Sequence, residues 1–127
     1  MREQFINKGI EIMNGDCLFC KIVNGNINAD VVFESENIIA FNDINPQAPT
    51  HILIIPKRHI PTINDLIESD CDNLGQLFLV AASIAKKNNF SNEGYRVVMN
   101  CNSAAGQTVF HLHLHLLGGR ALMWPPG

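Results

Sequence analysis

A heptapeptide close to the end of the chain alternates imidazole and leucine side chains: His111-Leu112-His113-Leu114-His115-Leu116-Leu117. Side chains of a strand point alternately to the two faces of its sheet, so this period of two predicts a strand. The three imidazoles would share one face, about 7 Å apart along the strand, and the leucines would point into a core. A helix would instead turn His113 away from the other two imidazoles. The segment therefore predicts a sheet with one apolar face.

Four further segments predict the remaining strands. Three of them are rich in β-branched and aromatic residues and are bounded by Asn, Pro or charged residues, which is typical of antiparallel strands. These three are Val31–Glu34, Ile38–Asn42 and residues 51–55. Residues 95–100 predict one more strand, which a loop of small residues over 101–107 joins to the histidine strand.

Two segments predict helices. Apolar residues recur every three or four positions between residues 69 and 87, which indicates one long helix. Residues 17–23 predict a short helix, with Asp16 as its N-cap and Asn24-Gly25 as its end. The short helix would place its two cysteines on one side. Together with the strands, these helices predict an α+β fold.

The size and composition of the chain indicate a single domain. Its 127 residues, 46% hydrophobic and 17% charged, suffice for one core and are too few for two. We assign residues 1–16 to a flexible N-terminal tail and residues 17–127 to the domain. The formal charge of -3 does not favour nucleic acid as a partner. No segment approaches the roughly 20 apolar residues that span a membrane. The four cysteines form no evident disulfide framework, which indicates a cytoplasmic, or also nuclear, location.

A row of imidazoles on one strand face suits two chemistries. Imidazole is a preferred ligand of zinc, and it also serves as nucleophile or acid-base group at a phosphorus centre. The segment Gly106-Gln107-Thr108, just upstream, offers backbone N–H groups, an amide and a hydroxyl to a phosphate beside the histidine face. From these residues alone both chemistries stay open.

The sequence resembles the histidine-triad (HIT) family, and within it the nucleotide-binding HINT branch, from Cys17 to the C-terminus. The signature of that family is His-x-His-x-His followed by apolar residues. The resemblance rests on the histidine heptapeptide and on residues 41–51, 55–59, 106–108, 118–120 and 124–127. The chain departs from many HINT relatives at residues 104–107, where Ala-Ala-Gly-Gln replaces Asp-Gly-Gly-Gln. That difference leaves loop flexibility and leaving-group preference open.

The resemblance implies a fold and an assembly. The expected fold is an antiparallel five-stranded sheet with one long and one short helix. Two copies would pair through the long helix and the strand after it into a two-fold homodimer with a continuous sheet. The C-terminal segment would bring Trp124 towards the partner's site, where it would influence which leaving groups fit.

The resemblance also implies a reaction, the hydrolysis of purine nucleoside phosphoramidates to AMP or GMP. His113 would attack the α-phosphorus and form a covalent nucleotidyl intermediate that water releases. The carbonyl of His111 would orient His113, His115 would handle protons or charge, and His51 would hydrogen-bond the triad. No cofactor is required for this chemistry.

The same resemblance assigns the nucleotide-binding residues. Asp43 would accept hydrogen bonds from the ribose hydroxyls. The phosphate would contact the two histidines His113 and His115 together with Asn100, Gly106, Gln107 and Thr108. The base would enter an apolar slot formed by Phe19, Ile22, Phe41, Ile44 and Leu53.

Cys17-x-x-Cys20 is half of a zinc motif. Some family members complete such a site with histidines that match His51 and His111, so the resemblance implies a closed, structural zinc site. The alternative is a metal-free site in which His51 hydrogen-bonds the triad. His59 is interpreted as a structural histidine at a strand end.

Two other functions remain open at this point. A dinucleoside polyphosphate hydrolase would share the nucleophile and need room for a second nucleoside. A zinc-containing adaptor protein would sense a nucleotide without turning it over.

Overall fold

A computed structural model describes residues 16–127. Two α-helices are present in this part of the chain, α1 (Leu18–Val23) and α2 (Cys71–Lys87). The strands are β1 (Val31–Glu34), β2 (Ile38–Asn42), β3 (Thr50–Pro56), β4 (Arg96–Val98) and β5 (Leu114–Gly118). Short 3-10 turns cover Ile63–Asp65, Glu68–Asp70 and Ser103–Ala105.

The five strands form one antiparallel sheet in the order β1-β2-β3-β5-β4. The histidine strand β5 therefore lies inside the sheet, between β3 and β4. β4 lies at one edge, and within residues 16–127 no strand pairs with its outer side. The predicted α+β fold with a five-stranded antiparallel sheet, one long helix and one short helix is confirmed.

The two faces of the sheet carry two separate apolar clusters. Helix α2 packs on one face, where Leu112, Leu114 and Leu116 are buried together with Leu77 and Ile84. Helix α1 covers part of the other face, where a second cluster contains Cys17, Phe19, Cys20, Ile39, Phe41, Leu53 and Ile55. The alternation of the heptapeptide thus separates the leucines in the main core from the histidines on the α1 side.

Several predicted boundaries differ from those in the structure. The histidine strand begins at Leu114, because the backbone N–H of Leu112 bonds to the carbonyl of Ile60 rather than to a strand. The strand predicted over 95–100 is shorter and spans Arg96–Val98. The N-cap of α1 is Cys17 rather than Asp16, because the sulfur of Cys17 accepts a hydrogen bond from the N–H of Cys20.

Two predictions concern the rest of the chain. The N-terminal tail predicted over residues 1–16 lies, except for Asp16, outside the described residues. Within residues 16–127, no helix is long and apolar enough to cross a membrane.

Candidate active site

His113 is held with its side chain buried and one ring nitrogen committed. Its Nδ1 lies 2.7 Å from the carbonyl oxygen of His111, which accepts a hydrogen bond and so requires the proton to be on Nδ1. Burial lowers the pKa of His113 below its ordinary value, so the ring is neutral at pH 7. The other nitrogen, Nε2, therefore carries an unprotonated lone pair, as nucleophilic attack requires.

His115 belongs to a chain of hydrogen bonds that we call the relay, formed by the Gln47 N–H, His51 and His115. The Gln47 N–H donates to Nδ1 of His51 over 3.0 Å, so neutral His51 carries its proton on Nε2. That nitrogen lies 2.9 Å from Nδ1 of His115, which must accept. The proton of His115 is consequently on Nε2. The backbone thus sets the tautomers of both rings.

The relay histidines are uncharged at neutral pH. The pKa of His115 is lowered to about 4, chiefly by burial and also by the proximity of His113 and His51. Burial likewise lowers the pKa of His51. His113 and His115 lie with their ring centroids 5.0 Å apart and carry their protons on opposite nitrogens. The pair therefore offers one lone pair and one N–H donor side by side.

Asp43 lies next to the relay, with Oδ2 3.4 Å from Nε2 of His51. Its other oxygen accepts a hydrogen bond from the N–H of Asn45 over 2.8 Å. Asp43, His51 and His115 are close enough together to hold a cation. However, the Gln47 N–H keeps a proton on Nε2 of His51, and a protonated nitrogen is not a ligand. The geometry therefore favours a hydrogen-bonded arrangement at these three residues.

Four of the five residues predicted for the base slot lie together on the α1 side of the sheet. Phe19, Phe41 and Leu53 are buried in the second cluster, and Ile22 packs against it. The ring of Phe19 meets those of Phe41 and His113 edge-on, at centroid distances of 5.5 and 5.1 Å. Ile44 is fully exposed and does not belong to this cluster.

The side chain of Gln107 organises the loop between β4 and β5. Although it was predicted to contact phosphate, Gln107 is buried and its oxygen accepts a hydrogen bond from the N–H of Asn102 over 2.7 Å. Its amide nitrogen donates to the carbonyls of Pro61 and Val109, over 2.9 and 3.0 Å. Both amide hydrogens are thus committed within the protein. Thr108, next to it, is exposed.

Asn100, Gly106 and Trp124 are also placed by the structure. Asn100 is half-buried just after β4, and exposed Gly106 ends a 3-10 turn with a φ of +92°, a conformation that favours glycine. Trp124 is 81% exposed. Nearby, Arg96 donates a hydrogen bond to the carbonyl of Met123 over 2.8 Å. Trp124 therefore makes little contact with its own chain.

Cys17, Cys20, His59 and His111 form a cluster that could hold a metal ion. Nδ1 of His111 lies 3.4 and 3.5 Å from the two sulfurs, and Nδ1 of His59 lies 3.3 Å from Sγ of Cys20. The two Nδ1 atoms are 3.3 Å apart. Tetrahedral zinc, with bonds of about 2.0 to 2.3 Å, would require N–N and S–N separations of about 3.3 and 3.5 Å. The four ligand atoms fit such a site.

Neighbouring groups prepare the cluster for a metal. Nε2 of His111 lies 2.8 Å from the carbonyl oxygen of Pro56, so its proton is on Nε2 and the lone pair of Nδ1 points into the cluster. The hydrogen bond between the two thiols lowers the pKa of Cys17 and raises the pKa of Cys20, so Cys17 supplies a thiolate, the form that binds metals, while Cys20 must lose its proton when a metal binds.

The fourth residue of this cluster is His59, so the prediction that His51 would take this place is corrected. In the antiparallel pair β3-β5, His51 is opposite Leu117, whereas His111 precedes the other end of β5. The residues that follow Pro56 reach that other end, which brings His59 to His111. His51 instead binds His115, as in the metal-free alternative. His59, interpreted from the sequence as a structural strand-end histidine, instead belongs to the cluster that could hold a metal ion.

A protein-family model described as the HIT domain matches residues 24–122. The chain belongs to the HIT family. A relative from Escherichia coli strain K12, named purine nucleoside phosphoramidase, is 47% identical over 110 residues, which cover 87% of this chain and 92% of that protein.

Solved HIT structures resemble this chain closely. The crystal structure of a HIT family hydrolase from Legionella pneumophila Philadelphia 1 is 57% identical, with a TM-score of 0.87 over 88% of this chain and 100% of that one. The histidine triad nucleotide-binding protein from Candida albicans is 31% identical, with a TM-score of 0.75 over 87% of this chain and 83% of that one.

In this HIT domain, sequence reasoning missed the roles of His59 and Gln47. His59 could have been found from the antiparallel register, because it follows the end of β3 that lies beside the start of the histidine strand. Gln47 acts through its backbone N–H, which every residue except proline possesses, so its identity gives no signal.

Proposed function

We propose that this protein is a purine nucleoside phosphoramidase, which hydrolyses the P–N bond of a nucleoside phosphoramidate to a nucleoside monophosphate and an amine. The observation that carries the proposal is the pair of neighbouring imidazoles, with a free lone pair on Nε2 of His113 and a proton on Nε2 of His115. The E. coli relative named for this activity supports it.

The first step makes one bond and breaks one. Nε2 of His113 attacks the α-phosphorus, and the bond from phosphorus to the leaving nitrogen breaks. The Nε2–H of His115 donates a hydrogen bond to the leaving nitrogen, which takes up a proton from solvent and departs as an amine. The nucleotide is then attached to His113, whose Nδ1–H still donates to the carbonyl of His111.

The second step restores the enzyme. The oxygen of a water molecule attacks the phosphorus, and the water releases a proton to solvent, which balances the proton taken up in the first step. The bond from His113 to phosphorus breaks, which releases AMP or GMP. The relay keeps the proton of His115 on Nε2 in both steps, because Nδ1 of His115 accepts from His51.

The nucleotide would lie along the α1 side of the sheet. The base would pack against Phe19, Ile22, Phe41 and Leu53, with Ile44 at the exposed edge of the slot. Asp43 would bind the ribose hydroxyls. Asn100, Gly106 and Thr108 would bind the phosphate together with the two catalytic histidines, whereas Gln107 would hold their loop in shape.

We propose zinc as the metal for the cluster of Cys17, Cys20, His59 and His111, because its two sulfurs and two nitrogens match the ligands that zinc prefers. With four protein ligands the ion has no open position, so it would stabilise the fold rather than activate water. Its ligands would link α1 to the segments before β5 and after β3.

We propose a two-fold dimer that pairs through α2 and β4. The outer face of α2 exposes Phe78 and Leu79, 48% and 71% respectively, together with Gly75 and Ala82. The outer face of a solvated helix is normally polar. β4 lies at the adjacent sheet edge, where a second copy of the strand would make the sheet continuous. The cytoplasmic location stays a prediction.

Release of AMP from an adenosine phosphoramidate with an aromatic amine leaving group tests the proposed reaction. The native protein and His113→Ala are compared in the presence of a chelator, with a dinucleoside polyphosphate as second substrate. We expect native turnover of the phosphoramidate, a loss of at least about a thousandfold in the variant, and an adenylylated His113 peptide by mass spectrometry. A folded native protein that prefers the polyphosphate, or turns over neither substrate, would contradict the proposal.

A further inference from the structure

The loop of residues 43–49, between β2 and β3, carries the first donor of the relay. The Gln47 N–H in this loop places the proton of His51 on Nε2, and thereby the proton of His115 on Nε2 as well. If the loop turned this N–H away, either nitrogen of each ring could carry the proton. The protonation of His115 therefore depends on the conformation of an exposed loop.

Two hydrogen bonds shape this loop internally. The Asn45 N–H donates to the carboxylate of Asp43, and the side chain of Gln47 donates to the carbonyl of Asn45 over 3.1 Å. Both bonds join residues two positions apart, so they define a local turn. They do not fix how the turn is oriented relative to the histidines on β5.

Arg120 ties the loop to the segment that follows β5. Its Nε and one terminal nitrogen donate to the carbonyl oxygen of Gln47, over 3.1 and 2.9 Å. Gly119 brings the backbone close to the loop: it has a φ of +94°, and a Cβ placed on it would lie 2.9 Å from Cβ of Pro49. The backbone directly before Arg120 is thus already packed against the loop.

The backbone N–H and the carbonyl of Gln47 flank the same α-carbon. Its carbonyl is held by Arg120 and its N–H is held by His51, so rotating the backbone of this residue must break one bond or the other. A guanidinium with two N–H groups on one oxygen constrains direction as well as distance. The orientation of the Gln47 N–H is therefore coupled to Arg120.

We propose that Arg120 is a positioning residue for the reaction. By holding the Gln47 carbonyl it directs the Gln47 N–H at His51, and through His51 it keeps the proton of His115 on Nε2, where the leaving nitrogen needs it. The consequence for catalysis rests on the proposed phosphoramidase function. The consequence for the tautomers does not.

The first test is a measurement of ring tautomers in the absence of substrate. In the full chain with ¹⁵N-labelled histidine, nitrogen chemical shifts distinguish protonated from unprotonated ring positions. We expect native His51 and His115 to be protonated on Nε2, and Arg120→Met to show mixed tautomers at both. Gln47→Ala retains the backbone N–H and carbonyl and the Arg120 contact, and loses only the side-chain bond to Asn45, so it is the matched control for loop shape and should keep the native tautomers.

The second test is steady-state kinetics with the phosphoramidate. Arg120→Met should lower kcat about tenfold with little change in KM, because the variant weakens the hydrogen bond from His115 to the leaving nitrogen and leaves the base slot intact. Arg120→Lys keeps the charge and one donor group, so it should recover part of the loss. Arg96→Met removes another arginine-to-carbonyl bond near the C-terminus, and it should leave kcat close to the native value.

The proposal fails if Arg120→Met keeps the native tautomers, or if Arg96→Met lowers kcat as much as Arg120→Met does. If Arg120→Met does not fold, the tautomers of Arg120→Lys decide in the same way. If the native protein shows no phosphoramidase activity but its tautomers change in Arg120→Met, the proposed function fails and the positioning role of Arg120 stands.

Discussion

At the scale of single residues, the protonation of the site histidines is set by backbone groups. The His111 carbonyl keeps the proton of His113 on Nδ1, and the Gln47 N–H keeps that of His51 on Nε2. Identical side chains on neighbouring segments of the chain thus acquire different chemistry from their hydrogen-bond partners. Replacing the side chain of Gln47 or His111 leaves these two hydrogen bonds possible, because the Gln47 N–H and the His111 carbonyl belong to the main chain.

The depressed pKa values of the histidines predict how stability depends on pH. His115 titrates near 4 in the folded protein and near 6.5 when unfolded, so between these values the unfolded chain binds more protons. The free energy of unfolding should therefore be nearly constant above pH 7 and should fall as the pH drops from 6.5 towards 4. His115 alone contributes at most about 1.4 kcal/mol per pH unit. His51 and His113 act in the same direction.

Urea unfolding of the native protein and of His115→Asn, measured between pH 4.5 and 8, checks this dependence. The variant should lose part of the slope below pH 6.5 and should show no change in slope above pH 7. An unchanged slope below pH 6.5 in the variant would mean that His115 is not neutral in the folded protein.

The triad and its spacing could be predicted from the sequence, but the fourth residue of the cysteine-histidine cluster could be found only with the register of β3 and β5. Alternation places the three histidines of the heptapeptide on one face whatever surrounds them. The choice between His51 and His59 depends on which end of β3 lies beside His111, and strand register is a long-range property. The function of the Gln47 N–H belongs to the backbone and has no sequence signature.

At the scale of elements, the short helix α1 links the metal cluster to the base slot. Cys17 caps the helix and Cys20 lies one turn later, while Phe19 between them packs edge-on against His113. A metal held by the two cysteines would fix the orientation of the helix, and with it the position of Phe19. The sulfur cap could not be predicted, because Asp16 is the better N-cap by propensity and Cys17 acts through its place in the cluster.

Removing the metal ligands should therefore weaken nucleotide binding. We expect about one zinc per chain in the native protein, and none in Cys20→Ser. We expect the variant to have a lower Tm and an AMP Kd that is raised about threefold to tenfold, which corresponds to roughly 0.7 to 1.4 kcal/mol.

Elemental analysis, thermal unfolding and AMP titration by calorimetry measure these three quantities. Cys71→Ser is the matched control, because Cys71 is exposed at the start of α2 and lies outside the cluster. A native protein without zinc would contradict the metal assignment. Native AMP affinity in a zinc-free variant would instead contradict the link through α1.

At the scale of the whole molecule, the outer face of helix α2 and the edge strand β4 both suit pairing with a second copy of the chain. Helix α2 buries Leu77, Ala81 and Ile84 in the core, and this inward face follows from its apolar periodicity. Its outward face exposes Phe78, which belongs to the same apolar periodicity, and Leu79, which lies outside it. Only the position of α2 over the sheet, with β4 at the adjacent edge, separates the core face from the face available for a second copy.

Leu79→Glu should convert the protein from dimer to monomer, because a dimer would bury the introduced carboxylate without a partner. Sedimentation equilibrium at micromolar concentration measures the change. Val32→Glu is the matched control, since Val32 is 39% exposed on β1, at the sheet edge opposite β4. It should remain a dimer.

The Leu79→Glu variant also tests whether Trp124 acts across the dimer. Trp124 is 81% exposed on its own chain, so it gains a catalytic neighbour only if a second copy supplies one. In the dimer, Trp124→Ala should raise KM for an aromatic amine leaving group about threefold and leave KM for a small one unchanged. In the Leu79→Glu background the same substitution should have no effect, because the partner's site is absent. An equal effect of Trp124→Ala in monomer and dimer would show that the residue acts on its own chain.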